Sequence, residues 1–327
     1  MEPATILPAY AEELDLHENI KVISQSPDKM VYQINCVDGL GTVEVMTLFP
    51  GVIMQFHSFH CKSFRLTGMG EIGDGLKISY CSEGRMEVRM SDNRLLFMEP
   101  GILSLYVNKA QDSFQFPCGH YHGVELFLHA SSMAIESPEI WRSYEISMET
   151  IQNRFCPEGR NYAIRAEDRL KALFQAMLDA PEECQMNYLR IKATELLFLL
   201  CAAQMPDKSD NYSFMTMGQV EIAKQIMSII TLDLGQHYSI ESLAESFGIS
   251  PTSAKNYFQG VYGKNISGYL REARMSAATL ALRDSQQPIA EIASAVGYEN
   301  ASKFSAAFKN FFSEAPLEYR RQSRCGI

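Results

Sequence analysis

The sequence predicts an α+β chain: an N-terminal antiparallel β-barrel with helices behind it, then an all-α C-terminal domain with two helix-turn-helix motifs. Three observations carry this. Between about residues 30 and 130, short alternating apolar runs follow one another closely with Pro-Gly breaks, as in antiparallel barrels and sandwiches. Past residue 160 the apolar period becomes helical. In the last ninety residues one amphipathic pattern occurs twice, offset by 50 residues.

The β-region divides at its turn residues. "VEVMTLFPGVIMQFHSF" reads as strand, turn and strand about Pro50-Gly51, and "RLLFMEPGILSLYV" repeats the plan about Pro100-Gly101. "RMEVRM" (Arg85 to Met90) alternates with period two and follows Ser82-Glu83-Gly84, which predicts a hairpin turn there. "SFQFPCGHYHGVELFLH" gives a further pair. Tyr162 to Leu178 and Met186 to Met205 then read as two long helices joined at Pro181. "PDKSDNYS" (206–213) has no periodicity, so a linker is expected over 206–217, between a domain of residues 1–205 and one of 218–327.

Composition removes several classes. With 46% apolar and 21% charged residues the chain is ordinary for a globular protein. No run of about 18 apolar residues occurs, so no membrane span is expected. The start, "MEPATILPAYAEELDL", does not read as a secretory signal, and the eight cysteines form no CxxC pair. Reduced thiols in a cytoplasmic protein are the expectation. Charge is uneven: residues 237–327 hold ten Lys and Arg against eight Asp and Glu, and the remainder hold 19 against 31. Such asymmetry points to different partners for the two parts.

The repeat is the strongest feature. Ala254, Tyr257, Phe258 and Val261 occupy one face of a helix, and Phe304, Ala307, Phe308 and Phe311 occupy the equivalent face 50 residues later. The polar faces match too, Thr252, Lys255, Asn256 and Gln259 against Ser302, Ser305, Ala306 and Lys309. Each helix follows a shorter one across a tight turn. Ala244, Gly248 and Ser250-Pro251 supply the small residue, the turn and the N-terminus in the first copy. Ala293, Gly297 and Asn300 do so in the second, whose turn is one residue longer. A single copy is as often a plain helical hairpin as a binding motif. Two copies that keep both stripes argue for a pair of reading helices. The intervening helix, Ile266 to Leu282, is about 25 Å long. With its turns it suits two successive major grooves about 34 Å apart.

On these residues, and on "YLREARMSAATLALRDSQQPIAEIASAVGYENASKFSAAFKNFFSEAPLEYRR" in particular, the stretch from about 218 to 322 resembles the AraC/XylS family of bacterial transcription regulators. The resemblance implies a seven-helix domain with two helix-turn-helix motifs behind an effector-binding or dimerisation domain. It implies double-stranded DNA and RNA polymerase as partners, a homodimer, and no enzymatic activity or cofactor. Carried over by position, Thr252, Ser253, Asn256 and Gln259 would face DNA in the first reading helix. Ser302, Lys303, Ser305, Ala306 and Lys309 would do so in the second. Phosphate contacts would come from Lys255, Lys264, Arg271, Lys303 and Lys309. The family often has arginine where Asn256 and Ala306 stand, and glycine where Ser313 stands. Arginine is the usual guanine reader, whereas asparagine pairs with adenine.

The β-region is similar to the cupin-type sensor domain of such regulators, which implies a small-molecule effector inside the barrel. His57, Phe59, Tyr80, Tyr106 and His122 are the candidate lining residues, since all lie on the strands. Two alternatives stay open here. One is a metal-dependent cupin enzyme fused to a DNA-binding domain, with His120, His122 and Glu125 or His57, His60 and Cys61 as ligands. No metal is the leading expectation, because short His pairs are commonly unligated. The other is control by a protein partner. Met186 to Met205 reads equally as a dimer helix or as a helix packed on its own barrel.

Overall fold

The structure, a computed structural model, describes residues 18–65, 75–89, 93–107, 113–135, 137–203 and 214–325. Most of the expected linker lies outside them. The chain divides into two compact units, Met1–Met215 and Thr216–Ile327.

In the first unit eleven strands precede the helices: β1 (Ile20–Gln25), β2 (Lys29–Cys36), β3 (Gly39–Phe49), β4 (Val52–His60), β5 (Ser63–Arg65), β6 (Gly75–Gly84), β7 (Met86–Arg89), β8 (Leu95–Met98), β9 (Ile102–Val107), β10 (Ser113–Gln115) and β11 (Tyr121–His129). Short helices α1 (Ala130–Ile135), α2 (Glu139–Ser143) and α3 (Met148–Phe155) follow. After them come β12 (Tyr162–Arg165), α4 (Asp168–Leu178) and α5 (Gln185–Ala202). The segment Tyr162–Arg165, expected to begin a helix, is instead an edge strand paired with β9, Tyr162 opposite Leu105. That pairing spans more than fifty residues of sequence, which no local period reports.

The strands form two antiparallel sheets, one of eight strands in the order β1-β2-β3-β4-β11-β6-β9-β12 and one of four in the order β5-β10-β7-β8. The antiparallel β-region is present, but among the described residues it does not close into a barrel. Pro50-Gly51 makes the expected tight turn between β3 and β4, with Gly51 at φ 75°. The other expected hairpins are corners. Ser82 and Glu83 continue β6, and the chain then crosses at Gly84 into β7 of the smaller sheet. Gly84 has φ 75°, and a Cβ there would lie 2.2 Å from the His120 carbonyl oxygen, so both conformation and space require glycine. Pro100-Gly101 likewise carries the chain from β8 in one sheet to β9 in the other. Glu99 holds this corner, accepting from Arg85 at 2.5 Å and Arg165 at 2.7 Å.

Each face of the large sheet is buried. One packs on α2–α5 through Met54, Ile78, Leu105, Leu126, Trp141, Phe174 and Leu196. Trp141, the sole tryptophan, donates Nε1–H to Thr194 Oγ1 at 3.0 Å, satisfying its one polar atom in the core. The opposite face packs on the smaller sheet through Val45, Phe59, Tyr121 and Phe127 against Phe64, Met86, Met98 and Phe116.

The second unit is all-α: α6 (Met217–Leu232), α7 (Ile240–Ser246), α8 (Pro251–Tyr262), α9 (Ile266–Asp284), α10 (Ile289–Ala295), α11 (Ala301–Phe312) and α12 (Pro316–Cys325). A capping box of Thr216 and Gln219 starts α6.

Candidate nucleic-acid interface and effector site

The two long second helices of the repeat are built alike. At α8, Ser250 accepts from Ser253 N–H at 3.1 Å and Pro251 fills the first position. At α11, Asn300 accepts from Lys303 N–H at 2.8 Å. Ala254 and Phe258 in α8, and Phe304 and Phe308 in α11, are each 0% exposed. Both helices end on a left-handed residue, Gly263 at φ 71° and Ser313 at φ 63°. The shorter helices α7 and α10 place Ala244 and Ala293 in the core, and Gly248 and Gly297 turn the chain at φ 63° and 78°. Both motifs are therefore helix, turn and helix, with the same face inward.

The outward faces hold the sequence-predicted residues. Thr252, Lys255, Asn256 and Gln259 are exposed on α8, and Ser302, Lys303, Ala306 and Lys309 on α11. Ser253 and Ser305 are half-buried, and the Ser253 hydroxyl is engaged by that of Ser250 at 3.0 Å. Two of the expected phosphate contacts are ion-paired. Lys264 meets Glu272 at 2.6 Å, and Lys303 meets Glu299 one turn earlier. Both pairs are exposed and therefore weak. Arg271, Lys255 and Lys309 are exposed.

In the first unit the five candidate lining residues do not share a surface. His57, Phe59 and Tyr106 lie on the face turned to the smaller sheet. Phe59 is there part of an aromatic stack with Phe64 and Phe116 at 4.9 Å each. Tyr80 and His122 lie on the opposite face. Tyr80 stacks on Phe174 of α4 at 4.3 Å, and His122 meets His60 at 5.0 Å. Strand alternation separates them, because residues an odd number apart point to opposite faces. For the same reason His122 and Glu125 face opposite ways, and so do His57 and His60. Among the described residues no group of three or more His, Cys, Asp and Glu side chains is placed to hold a metal ion.

The register instead assembles a polar row that strand membership alone does not reveal. Gln55 of β4 is opposite Glu125 of β11, Glu125 opposite Ser79 of β6, and Ser79 opposite Ser104 of β9. All four are buried. Glu125 accepts from Lys77 Nζ at 3.1 Å, Ser79 Oγ at 2.8 Å and Tyr106 Oη at 3.1 Å. Burial pushes its carboxyl up, but Lys77, His57 and Ser79 outweigh this and hold it at about 2. Burial lowers His57, whose Nε2 bonds Gln55 Oε1 at 3.0 Å. Ser104 Oγ and Thr47 Oγ1 are buried without a hydrogen-bond partner.

On the other face a cleft of about 260 Å³ opens between β9, β12, α3, α4 and the end of α5, lined by Leu103, Phe155, Ile164, Leu170 and Leu200 with Glu167 and Arg169 also on its wall.

The family model of a helix-turn-helix domain matches residues 243–322. The transcriptional regulator Rob of Salmonella typhimurium is 33% identical over 107 residues, 33% of this chain and 37% of that protein. The HTH-type transcriptional regulator AlkR of Acinetobacter baylyi is 36% identical over 86 residues, 26% of this chain and 28% of that protein. The match thus spans well under half the length of these curated relatives. A solved transcriptional regulator from Chromobacterium violaceum, described by AraC-type DNA-binding domain-containing proteins, is 24% identical over 34% of this chain and 98% of that one, with a TM-score of 0.31. No helix among the described residues is long and apolar enough to cross a membrane. Residues 243–322, with their paired helix-turn-helix motifs, thus match a helix-turn-helix domain and are similar over that stretch to curated transcriptional regulators.

Proposed function

We propose that the chain is a sequence-specific transcription regulator that reads two successive major grooves of double-stranded DNA with α8 and α11. The observation that supports this is the repeat: at a 50-residue offset both helices keep cap, buried face and exposed polar face. Thr252, Asn256 and Gln259 on one helix, and Ser302, Ala306 and Lys309 on the other, are of a size and polarity that suit base edges. Lys255, Lys264, Arg271, Lys303 and Lys309 supply phosphate contacts.

Control would come from the first unit, through a small effector with higher affinity for one of two arrangements of the regulator. The cleft lined by Leu103, Phe155, Ile164 and Leu170, with Glu167 and Arg169 on its wall, offers the space for one, and the polar row of Gln55, Glu125, Ser79 and Ser104, with His57 and Tyr106 beside it, offers polar groups on the opposite face. Dimerisation would use α5, where Ile191 is 65% and Phe198 43% exposed, the Phe198 ring lying 6.0 Å from that of Tyr144.

The test is binding of the purified chain to the DNA upstream of its own coding region, titrated with salt. Wild type is expected to bind with steep salt dependence. Lys309→Glu is expected to weaken binding at least tenfold and flatten the slope by about one. Equal binding by wild type and variant at every salt concentration would remove α11 from the interface.

A further inference from the structure

The two turns of the repeat are not equivalent in what surrounds them. A Cβ placed on Gly248, in the first, would meet nothing within 4 Å. That glycine is needed for its positive φ alone. A Cβ on Gly297, in the second, would lie 2.5 Å from Arg274 Nη2 and 2.5 Å from the Leu234 carbonyl oxygen. Three separate segments therefore converge on Gly297: its own turn, the helix α9, and the loop between α6 and α7.

Arg274 joins them. It lies on α9, the helix between the two motifs, and is half-buried. Its Nε donates to Leu234 O at 2.9 Å and its Nη2 to Gln236 O at 3.0 Å. Both carbonyls belong to the loop that leads into the first motif. That loop is itself braced, since Asp233 accepts from Gly235 N–H at 2.8 Å and the Tyr238 hydroxyl donates to Asp233 O at 3.0 Å. A planar guanidinium can bridge two carbonyls in fixed geometry, which an ammonium on a flexible stem cannot.

We propose that Arg274 is a positioning residue that locks the two motifs at one relative orientation, and so sets the spacing at which α8 and α11 address DNA. This rests on the DNA-reading function proposed above. Arg274 fastens the lead-in of the first motif to the connecting helix beside the turn of the second, where its guanidinium fills the space that a side chain at Gly297 would need. Removing the guanidinium leaves both motifs folded on their own cores but frees the hinge between them. One inserted base pair moves the second half-site about 3.4 Å along the duplex and about 35° around it. A locked pair cannot follow that displacement, and a hinged pair can.

The experiment uses the full chain and the duplex it enriches most from a random-sequence pool. Dissociation constants are measured for that duplex and for versions with one base pair inserted or deleted between the two protected halves. Wild type is expected to lose about tenfold or more on each change. Arg274→Gln is expected to lose less than about threefold, although its affinity for the parent duplex falls. A merely destabilised domain would weaken all spacings alike and leave the ratio unchanged. Arg274→Lys keeps the charge without the two-carbonyl bridge, and is expected to relax the ratio too if the glutamine variant melts early. A wild-type ratio in a folded variant overturns the proposal while the DNA-reading function stands. Failure of wild type to enrich any duplex overturns both.

Discussion

Ser313 shows how closely the two motifs repeat. It occupies the C-terminal position held by Gly263 50 residues earlier, and adopts φ 63° where Gly263 adopts 71°. A side chain in the left-handed region costs about 1–2 kcal/mol, which only glycine avoids. Glycine also frees the unfolded chain, offsetting about 0.4–1 kcal/mol. Ser313→Gly is therefore expected to raise the melting temperature of the second unit, by a net stabilisation of roughly 0.5–1 kcal/mol. A lower melting temperature would show that the Ser313 hydroxyl makes a contact worth more than the strain. In the sequence the same position departs from the pattern of the family that this stretch resembles. What the sequence did not convey is that the backbone still takes the glycine conformation there.

At the scale of elements, the polar row across β4, β11, β6 and β9 makes acid sensitivity a property of the sheet. Glu125 sits at about 2 in the fold against a reference value of 4.5. Its stabilisation is complete above pH about 4.5 and is lost as pH falls toward about 2. His57 is lowered from 6.5 by burial, so below that pH the unfolded chain binds a proton that the folded chain resists. Stability should thus begin to fall below pH 6.5 and fall again below 4.5. His57→Gln is expected to shrink the decline between pH 7 and 5 in a thermal-melt series. His122, also lowered by burial, would carry what remains. An unchanged decline would place the sensitivity elsewhere. The β-region from β2 to β11 was legible from alternation and from Pro-Gly breaks, whereas β1 and β12 lie outside the stretch those signals marked. Which residues meet was not, because strand partners are set by register between segments tens of residues apart. Tyr80 and Tyr106 look equivalent in sequence, yet one stacks on a helix and the other bonds Glu125.

At the scale of the molecule, α5 carries two kinds of apolar residue. Leu189, Ala193, Leu196, Leu197 and Leu200 are buried against the sheet, while Ile191 and Phe198 remain exposed. The equal readings of this helix, core or dimer face, thus describe different sides of it. The inward side is occupied within the chain. For the outward side, Phe198→Asp is expected to shift a homodimer to monomer in sedimentation equilibrium, with the melting of the first unit changed little. An unchanged mass distribution would exclude this stripe as the interface. A homodimer would matter for DNA because linked binding raises effective affinity without new contacts.

The sequence by itself determined the second unit almost completely. Caps, buried stripes and turn glycines there are local, acting within a few residues, so Ser250, Asn300, Phe258 and Phe308 could be assigned roles before any fold was known. It also determined that the first part is antiparallel β followed by helices. Only the tertiary structure decided how strands divide between two sheets, that Tyr162–Arg165 completes one of them, that four buried polar side chains align, and that Arg274 reaches Leu234, Gln236 and Gly297. Each of these depends on contacts between distant segments, whose pairing comes from the packing of the whole chain and leaves no periodic trace in the order of residues.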